Sequence, residues 1–267
     1  MDACVYESSL RFRLGLSHPP HDPHNGATPD ETGQEAEGFA DTIEAMNRAG
    51  VRAALTVLDS EVEGFLQYRT RHAERLYGWA PYDSLRPERG LEAVRALCEG
   101  HAEAFLGVAT AFPCFGQDPR LKAFAPFYAY CIQHGLPVLF RLNGGLRDGA
   151  AVRPLAFGVL ATVYPRLRIV CLQENAGEGD ELRELLPRFP NLFLATSLDP
   201  GRGDVPDTRA LIRAVGSRKI MFASGGRETT ASYDRAVKAL SQLRWWHRGN
   251  VGWRAAGRVF GPRIAGS

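Results

Sequence analysis

Three planar or forked donor side chains stand where apolar runs of this sequence stop. Arg141 follows Leu136-Pro137-Val138-Leu139-Phe140, Gln173 follows Ile169-Val170-Cys171-Leu172, and Arg227 follows Ile220-Met221-Phe222-Ala223 and a Ser-Gly-Gly step. Such groups suit a carboxylate or a carbonyl oxygen. Close in sequence are acceptors and hydroxyls: Glu7, Glu174, Asn143, Asn175, Thr196, Ser197 and Ser224. A guanidinium at the end of a buried strand needs an anionic partner. Either Glu7 or Glu174 neutralises Arg141 internally, or Arg141 clamps the carboxylate of a ligand, and the sequence leaves both open. Cys4 and Tyr6 lie on an opening apolar stretch. A thiol near Arg141 would have a depressed pKa and act as a nucleophile, whereas most strand cysteines are small buried hydrophobes.

His18, His21 and His24, with Asp22 among them, form the densest set of metal-type donors. The segment reads as a relocated metal site, or, because the intervening prolines impose an extended chain that separates the side chains, as a mobile polar loop or a lid. It belongs to a longer stretch of loop chemistry, about 15–34, that follows the first strand and would overhang the mouth of a barrel.

The elements that must position these residues alternate from end to end. Apolar, β-branched runs predict strands at about 2–6, 51–57, 76–81, 104–110, 136–142, 168–173, 191–197 and 219–224. Amphipathic stretches between them predict helices at 35–49, 62–75, 87–99, 121–134, 150–164, 178–189, 208–215 and 232–243, with Gly50, Gly100 and Gly135 as their end signals. Eight strands alternating with eight helices predict a closed (β/α)8 TIM barrel in a single domain, 1–267. An open doubly wound sheet gives the same alternation. No G-x-G-x-x-G follows the first strand, which weakens a dinucleotide reading.

The composition, 45% hydrophobic and 23% charged, supports a sizeable core, and a formal net charge of +2 is too small to imply a nucleic-acid partner. No apolar run approaches a membrane span, and Met1 to Glu7 lacks the basic and apolar regions of a signal peptide. Five scattered cysteines without a CxxC pair point to reduced thiols in a cytoplasmic protein. The tail from Leu243 carries five arginines, no acid, and Trp245, Trp246 and Trp253. It reads either as a contact for nucleic acid or an acidic partner, or as a closing helix.

Several of these stretches resemble the amidohydrolase-related (amidohydrolase 2) superfamily. Lys219 to Arg227 resembles its last barrel strand, K-I-L-F-G-[ST]-D-[FY]-P, with the family aspartate falling on Gly225. Gly135 to Leu142 resembles G-L-P-V-x-[IV]-H-T, Leu167 to Gln173 a strand ending in a metal-binding histidine, and Asn191 to Ser197 N-[VL]-[YF]-x-x-[TL]-S. Met1 to Tyr6 lines up with the metal-binding I-D-x-H-x-H, and Asn250 to Gly261 resembles the closing N-A-x-R-x-[FL]-G helix, packed on the barrel wall at about 250–261. Carried over position by position, the resemblance replaces every metal ligand: by Cys4, Tyr6, Arg141, Gln173 and Gly225.

The resemblance therefore implies a divergent, amidohydrolase-like barrel lacking the metal ligands, with no cofactor. Some members, such as the pyrone dicarboxylate lactonases, hydrolyse without a metal, and this chain is similar to them in lacking the full ligand set. The expected function is a metal-independent enzyme that hydrolyses or decarboxylates a small carboxylate-bearing substrate at the carboxyl ends of the strands. Glu174, Cys4 and Arg141 are the catalytic candidates. Arg227, Gln173, Tyr6, Asn143, Ser224 and Ser197 are the substrate-binding candidates, and no metal residue is assigned. The alternative is a catalytically inactive barrel that serves as a ligand-binding or partner protein. Expected partners are a small carboxylate ligand and, as open alternatives, a second copy or another protein, with neither nucleic acid nor membrane.

Overall fold

The computed structural model describes residues 3–7, 43–44, 46–48, 51–58, 62–110, 118–120, 122–142, 155–173, 179–197, 208–223, 238 and 240–261. Its frame is eight parallel strands: β1 (Ala3–Glu7), β2 (Val51–Val57), β3 (Leu76–Tyr82), β4 (Phe105–Thr110), β5 (Val138–Leu142), β6 (Ile169–Gln173), β7 (Leu192–Ser197) and β8 (Ile220–Ala223). Each strand pairs with the next, and β1 pairs with β8 through Tyr6 and Ala223, so the hydrogen-bonded order returns to its start.

Helices α1 (Val62–Arg69), α2 (Pro87–Gly100), α3 (Ala125–Gln133), α4 (Leu155–Val163), α5 (Gly179–Leu185) and α6 (Thr208–Val215) run between the strands. In α2 a proline opens the first turn, and Leu91, Val94 and Cys98 form the buried stripe at helical spacing. Among the described residues no helix is long and apolar enough to cross a membrane.

Strand alternation sorts the buried side chains into two cores. Ile220 and Phe222 of β8, Ile169 and Cys171 of β6, and Phe105 and Phe140 pack outward against the helices. Met221 and Ala223, Val170 and Leu172, with Leu55, Trp79, Leu139 and Ala195, fill the inside of the closed sheet.

The inner core receives a further element. After α7 (Trp245–Gly249) the chain continues through a π-helical turn, Asn250–Arg254, into α8 (Ala255–Phe260). Ala255, Ala256, Val259 and Phe260 join the inner cluster, and Phe260 meets Trp79 edge-on at 5.2 Å between ring centroids. Ser217, in the turn just before β8, hydrogen-bonds both His247 Nδ1 and Asn250 Nδ2 at 3.0 Å. The run thus enters the barrel at the amino ends of the strands. The helix expected at about 250–261 is present, preceded by α7, and its place is corrected from the barrel wall to the inside of the sheet, which it plugs from below.

Two helix ends also differ from expectation. The stretch 62–75 ends as a helix at Arg69, because the buried Arg69 guanidinium turns back and donates to Leu76 O at 2.9 Å, Ala73 O at 3.0 Å and Glu103 O at 2.8 Å. Gly100 is the last residue of α2 and not its terminator, since the cap is His101 at φ −139°. Gly135 does end α3, at φ +61°. There Leu136 N–H donates to Cys131 O at 2.8 Å, as the αL turn requires. Gly50 lies outside the described residues.

Candidate active site

Because all eight strands are parallel, their carboxyl ends face one side, which is where ligands sit in such folds. Register decides which candidate positions share a level. Tyr6 of β1, Ala223 of β8 and Ser197 of β7 are consecutive partners. Gln173 of β6 pairs with Thr196, the residue before Ser197. Four adjacent strands therefore bring Gln173, Ser197 and Tyr6 to neighbouring positions, with Ser224 the residue after Ala223.

Arg141 stands one step lower on β5. It pairs with Leu172, which pairs with Ala195, which pairs with Met221, and those three side chains belong to the inner cluster. Gln173 shares its level instead with Leu142, Thr196 and Phe222, and Phe222 packs in the outer core. Arg141 and Gln173 are thus offset by one residue. Cys4 pairs with Ala53 and Tyr6 with Leu55, both of whose partners lie in the inner cluster. Glu174, Asn143, Asn175, Ser224, Gly225, Arg227 and the His18, His21 and His24 segment lie outside the described residues.

The other half of the ring is different in character. The inner positions of β2, β3 and β4 are Val57, Trp79 and Ala109, all buried and apolar. Room for the indole comes from Gly107, where a Cβ would lie 2.4 Å from Trp79 Cζ3 and 2.9 Å from Pro137 O. The inner positions of β2–β4 are therefore apolar, while the polar residue positions Arg141, Ser197 and Tyr6 fall on β5, β7 and β1.

Two carboxylates that sequence reasoning passed over sit in the connectors after β3 and β4. Asp83 accepts from Leu85 N–H at 2.9 Å and pairs with Arg86 at 3.7 Å. Asp118 is clamped by Arg120, whose hydrogen bonds hold its carboxyl below the usual range. Both are satisfied within their own turns, so neither is poised for acid–base work. Tyr82, at the end of β3, stacks on Phe127 at 3.9 Å. Burial first, then Cys131 and Asp83, raise its phenol well above the ordinary value and keep it protonated.

At the strand positions aligned with metal ligands, β1, β5 and β6 offer a thiol, a phenol, a guanidinium and an amide. Among the described residues no group of three or more His, Cys, Asp or Glu side chains is placed to hold a metal ion.

No curated protein matches the chain. Solved structures share its fold. An uncharacterised TIM-barrel protein from Bordetella bronchiseptica superposes with a TM-score of 0.69 at 14% identity, covering 99% of this chain and 100% of that one. A 5-carboxyvanillate decarboxylase from Sphingomonas paucimobilis gives 0.68 at 15% identity, covering 97% and 98%. A dihydroxybenzoic acid decarboxylase from Polaromonas, with bound manganese and the inhibitor 2-nitroresorcinol, gives 0.60 at 15% identity, covering 98% and 97%. The amidohydrolase family profile matches residues 25–226. With that match over more than half of its length, the chain belongs to the amidohydrolase family.

Proposed function

We propose that the chain is one (β/α)8 barrel domain over 1–267 and a metal-independent enzyme acting on a small carboxylate-bearing substrate. Decarboxylation of a carboxylated aromatic ring is the reaction supported best. The division of the strand ring carries this reading: buried apolar Val57, Trp79 and Ala109 on β2–β4, and the polar residue positions Arg141, Ser197 and Tyr6 on β5, β7 and β1. An apolar ring with anionic substituents along one edge matches that division. The Sphingomonas and Polaromonas enzymes of the same fold act on substrates of this kind by name.

The manganese of the Polaromonas enzyme finds no donor set among the described residues. A guanidinium does not deprotonate in a protein and repels a dication. A lone thiol does not make a site that needs several N, O or S donors at about 2.0 to 2.3 Å. The residues at these positions do not fit a divalent ion.

Arg141 and Arg227 hold the anionic oxygens. On the carboxylate that leaves, a guanidinium would favour the ground state over a transition state in which that charge disappears. Its productive place is a ring oxygen that gains charge. Glu174, protonated, gives its proton to the ring carbon as the C–C bond breaks. The bonding pair stays on that carbon, CO2 departs, and Glu174 is left as carboxylate. Gln173, Tyr6, Asn143, Ser197 and Ser224 fix the polar edge of the ring. Cys4 is the nucleophile if an ester or lactone is hydrolysed instead: its thiolate adds to the carbonyl carbon, the C–O bond breaks and the alcohol leaves with a proton, and water opens the resulting thioester to the acid and the free thiol.

The test is a panel of carboxyl-labelled hydroxybenzoates incubated with chelator-treated protein, read as labelled CO2. Turnover without metal, lost in Glu174→Gln while binding persists, is expected. Turnover that appears only on adding Mn2+ or Zn2+ would overturn metal independence. Binding with no product from any member would favour the inactive ligand-binding barrel.

A further inference from the structure

The helical run from Trp245 to Phe260 has two unlike faces. Val251, Ala255, Ala256, Val259 and Phe260 are buried against the barrel. The opposite face presents Trp245, Trp246 and Trp253 at 66%, 38% and 43% exposure, with Arg244, Arg254 and Arg258 exposed beside them. The Arg244 guanidinium lies over Trp246 and that of Arg254 over Trp253, each 5.2 Å from the ring centroid. Trp245 and Trp246 meet edge-on at 5.6 Å. A cluster of large exposed apolar side chains marks an interaction surface more often than chance.

Composition narrows the partner. The segment 243–267 holds five arginines and no lysine, aspartate or glutamate. Tryptophan and arginine are the types enriched where proteins bind proteins, and lysine, glutamate and aspartate the types depleted there. Position agrees. Arg258 reaches Arg218 O at 3.5 Å beside the turn that precedes β8, so the patch lies at the amino end of the barrel. The mouth is at the other end and stays open to substrate.

Charge and ring geometry choose among occupants. A second copy docked two-fold would set Arg244, Arg254 and Arg258 against their own equivalents, an arrangement that like charges oppose. A single-stranded nucleic acid needs open indole faces for its bases, and Trp246 and Trp253 each already carry an arginine on one face. We propose that this face binds an acidic segment of a protein partner, with carboxylates on the arginines and apolar side chains between the indoles.

The full chain is titrated with a fluorescein-labelled dodecapeptide alternating glutamate and leucine, and with its glutamine counterpart. The expected result is binding of the glutamate peptide that weakens with salt and is stronger than that of the glutamine peptide by at least about tenfold. The double variants Arg254→Gln/Arg258→Gln and Trp245→Ala/Trp253→Ala should each lose about tenfold or more in affinity, with unchanged thermal unfolding. Equal binding of the two peptides, or binding indifferent to either variant, overturns the proposal. So does tighter binding of an oligo(dT) dodecamer or of phosphatidylcholine vesicles containing phosphatidylserine. Self-association abolished by the tryptophan variant would equally overturn it.

Discussion

Phe260 meets Trp79 inside the sheet at 5.2 Å and an interplanar angle of 69°, joining a helix at the end of the chain to the third strand. Both rings are fully buried, and the edge-on geometry is the one their quadrupoles favour. Phe260→Ala should cost about 3–5 kcal/mol, the usual range for deleting a buried phenylalanine. Gly107→Ala should cost about 1–3 kcal/mol, because its methyl would be caught between the indole and the fixed Pro137 carbonyl. Urea unfolding monitored by tryptophan fluorescence measures both, and a Gly107→Ala protein as stable as the parent would refute the packing described.

Arg69 makes a second check. Its guanidinium ties together three carbonyls, from two connectors and the first residue of β3, in a buried setting. Charge-assisted hydrogen bonds of this kind contribute about 1.5–3 kcal/mol each. Arg69→Met should destabilise by at least about 2 kcal/mol, and Arg69→Lys should not restore it, since an ammonium lacks the planar fork. Chemical denaturation of the three proteins side by side decides the matter.

Lys219 carries a pH signature. Its Nζ donates to Phe189 O and Pro190 O at 2.7 Å and to Leu192 O at 3.1 Å. Burial, and then Arg258, lower its pKa to about 8 from 10.5. Between those values the unfolded chain binds the proton that the folded one has released, so this residue makes stability rise with pH from about 8 to 10.5. Below about 8 both states are protonated and its contribution is flat. The difference in stability between the parent and Lys219→Met, followed across that window, should show the slope. A pH-independent difference would count against it.

Arg141 separates a ligand clamp from an internal ion pair. With the guanidinium serving a bound anion, Arg141→Gln should leave the melting temperature of the ligand-free protein nearly unchanged. It should also abolish the stabilisation that a hydroxybenzoate gives the parent, about 2.7 kcal/mol at a hundredfold excess over Kd. A variant that loses several kcal/mol without ligand would instead identify an internal carboxylate as the partner.

The strands were legible because their apolar, β-branched runs stop at turn residues: 51–57 is predicted and found as β2, and 191–197 is predicted where β7 spans Leu192–Ser197. The end of α1 was not, because it depends on where the Arg69 side chain finds its carbonyls, and those come partly from Glu103 far along the chain. The destination of α8 was hidden for a similar reason. An apolar helix stripe shows that a partner exists without showing that the partner is Trp79. Within the site, residue types were readable and levels were not. The one-residue offset of Arg141 from Gln173 is set by the pairing of β5 with β6, which the two strand sequences do not encode separately.

The plug formed by α8 has a consequence for synthesis. Ala255, Val259 and Phe260 complete the inside of the sheet, yet they are made after all eight strands have been synthesised. Until they arrive, Trp79 and Met221 line an unfilled interior, and a nascent barrel holds exposed apolar surface of the kind that recruits chaperones. A premature stop anywhere between β8 and Ala255 therefore leaves every strand present and the interior open. Such a truncated chain should be recognised by quality control as unfinished, although none of its strands or candidate catalytic residues is missing.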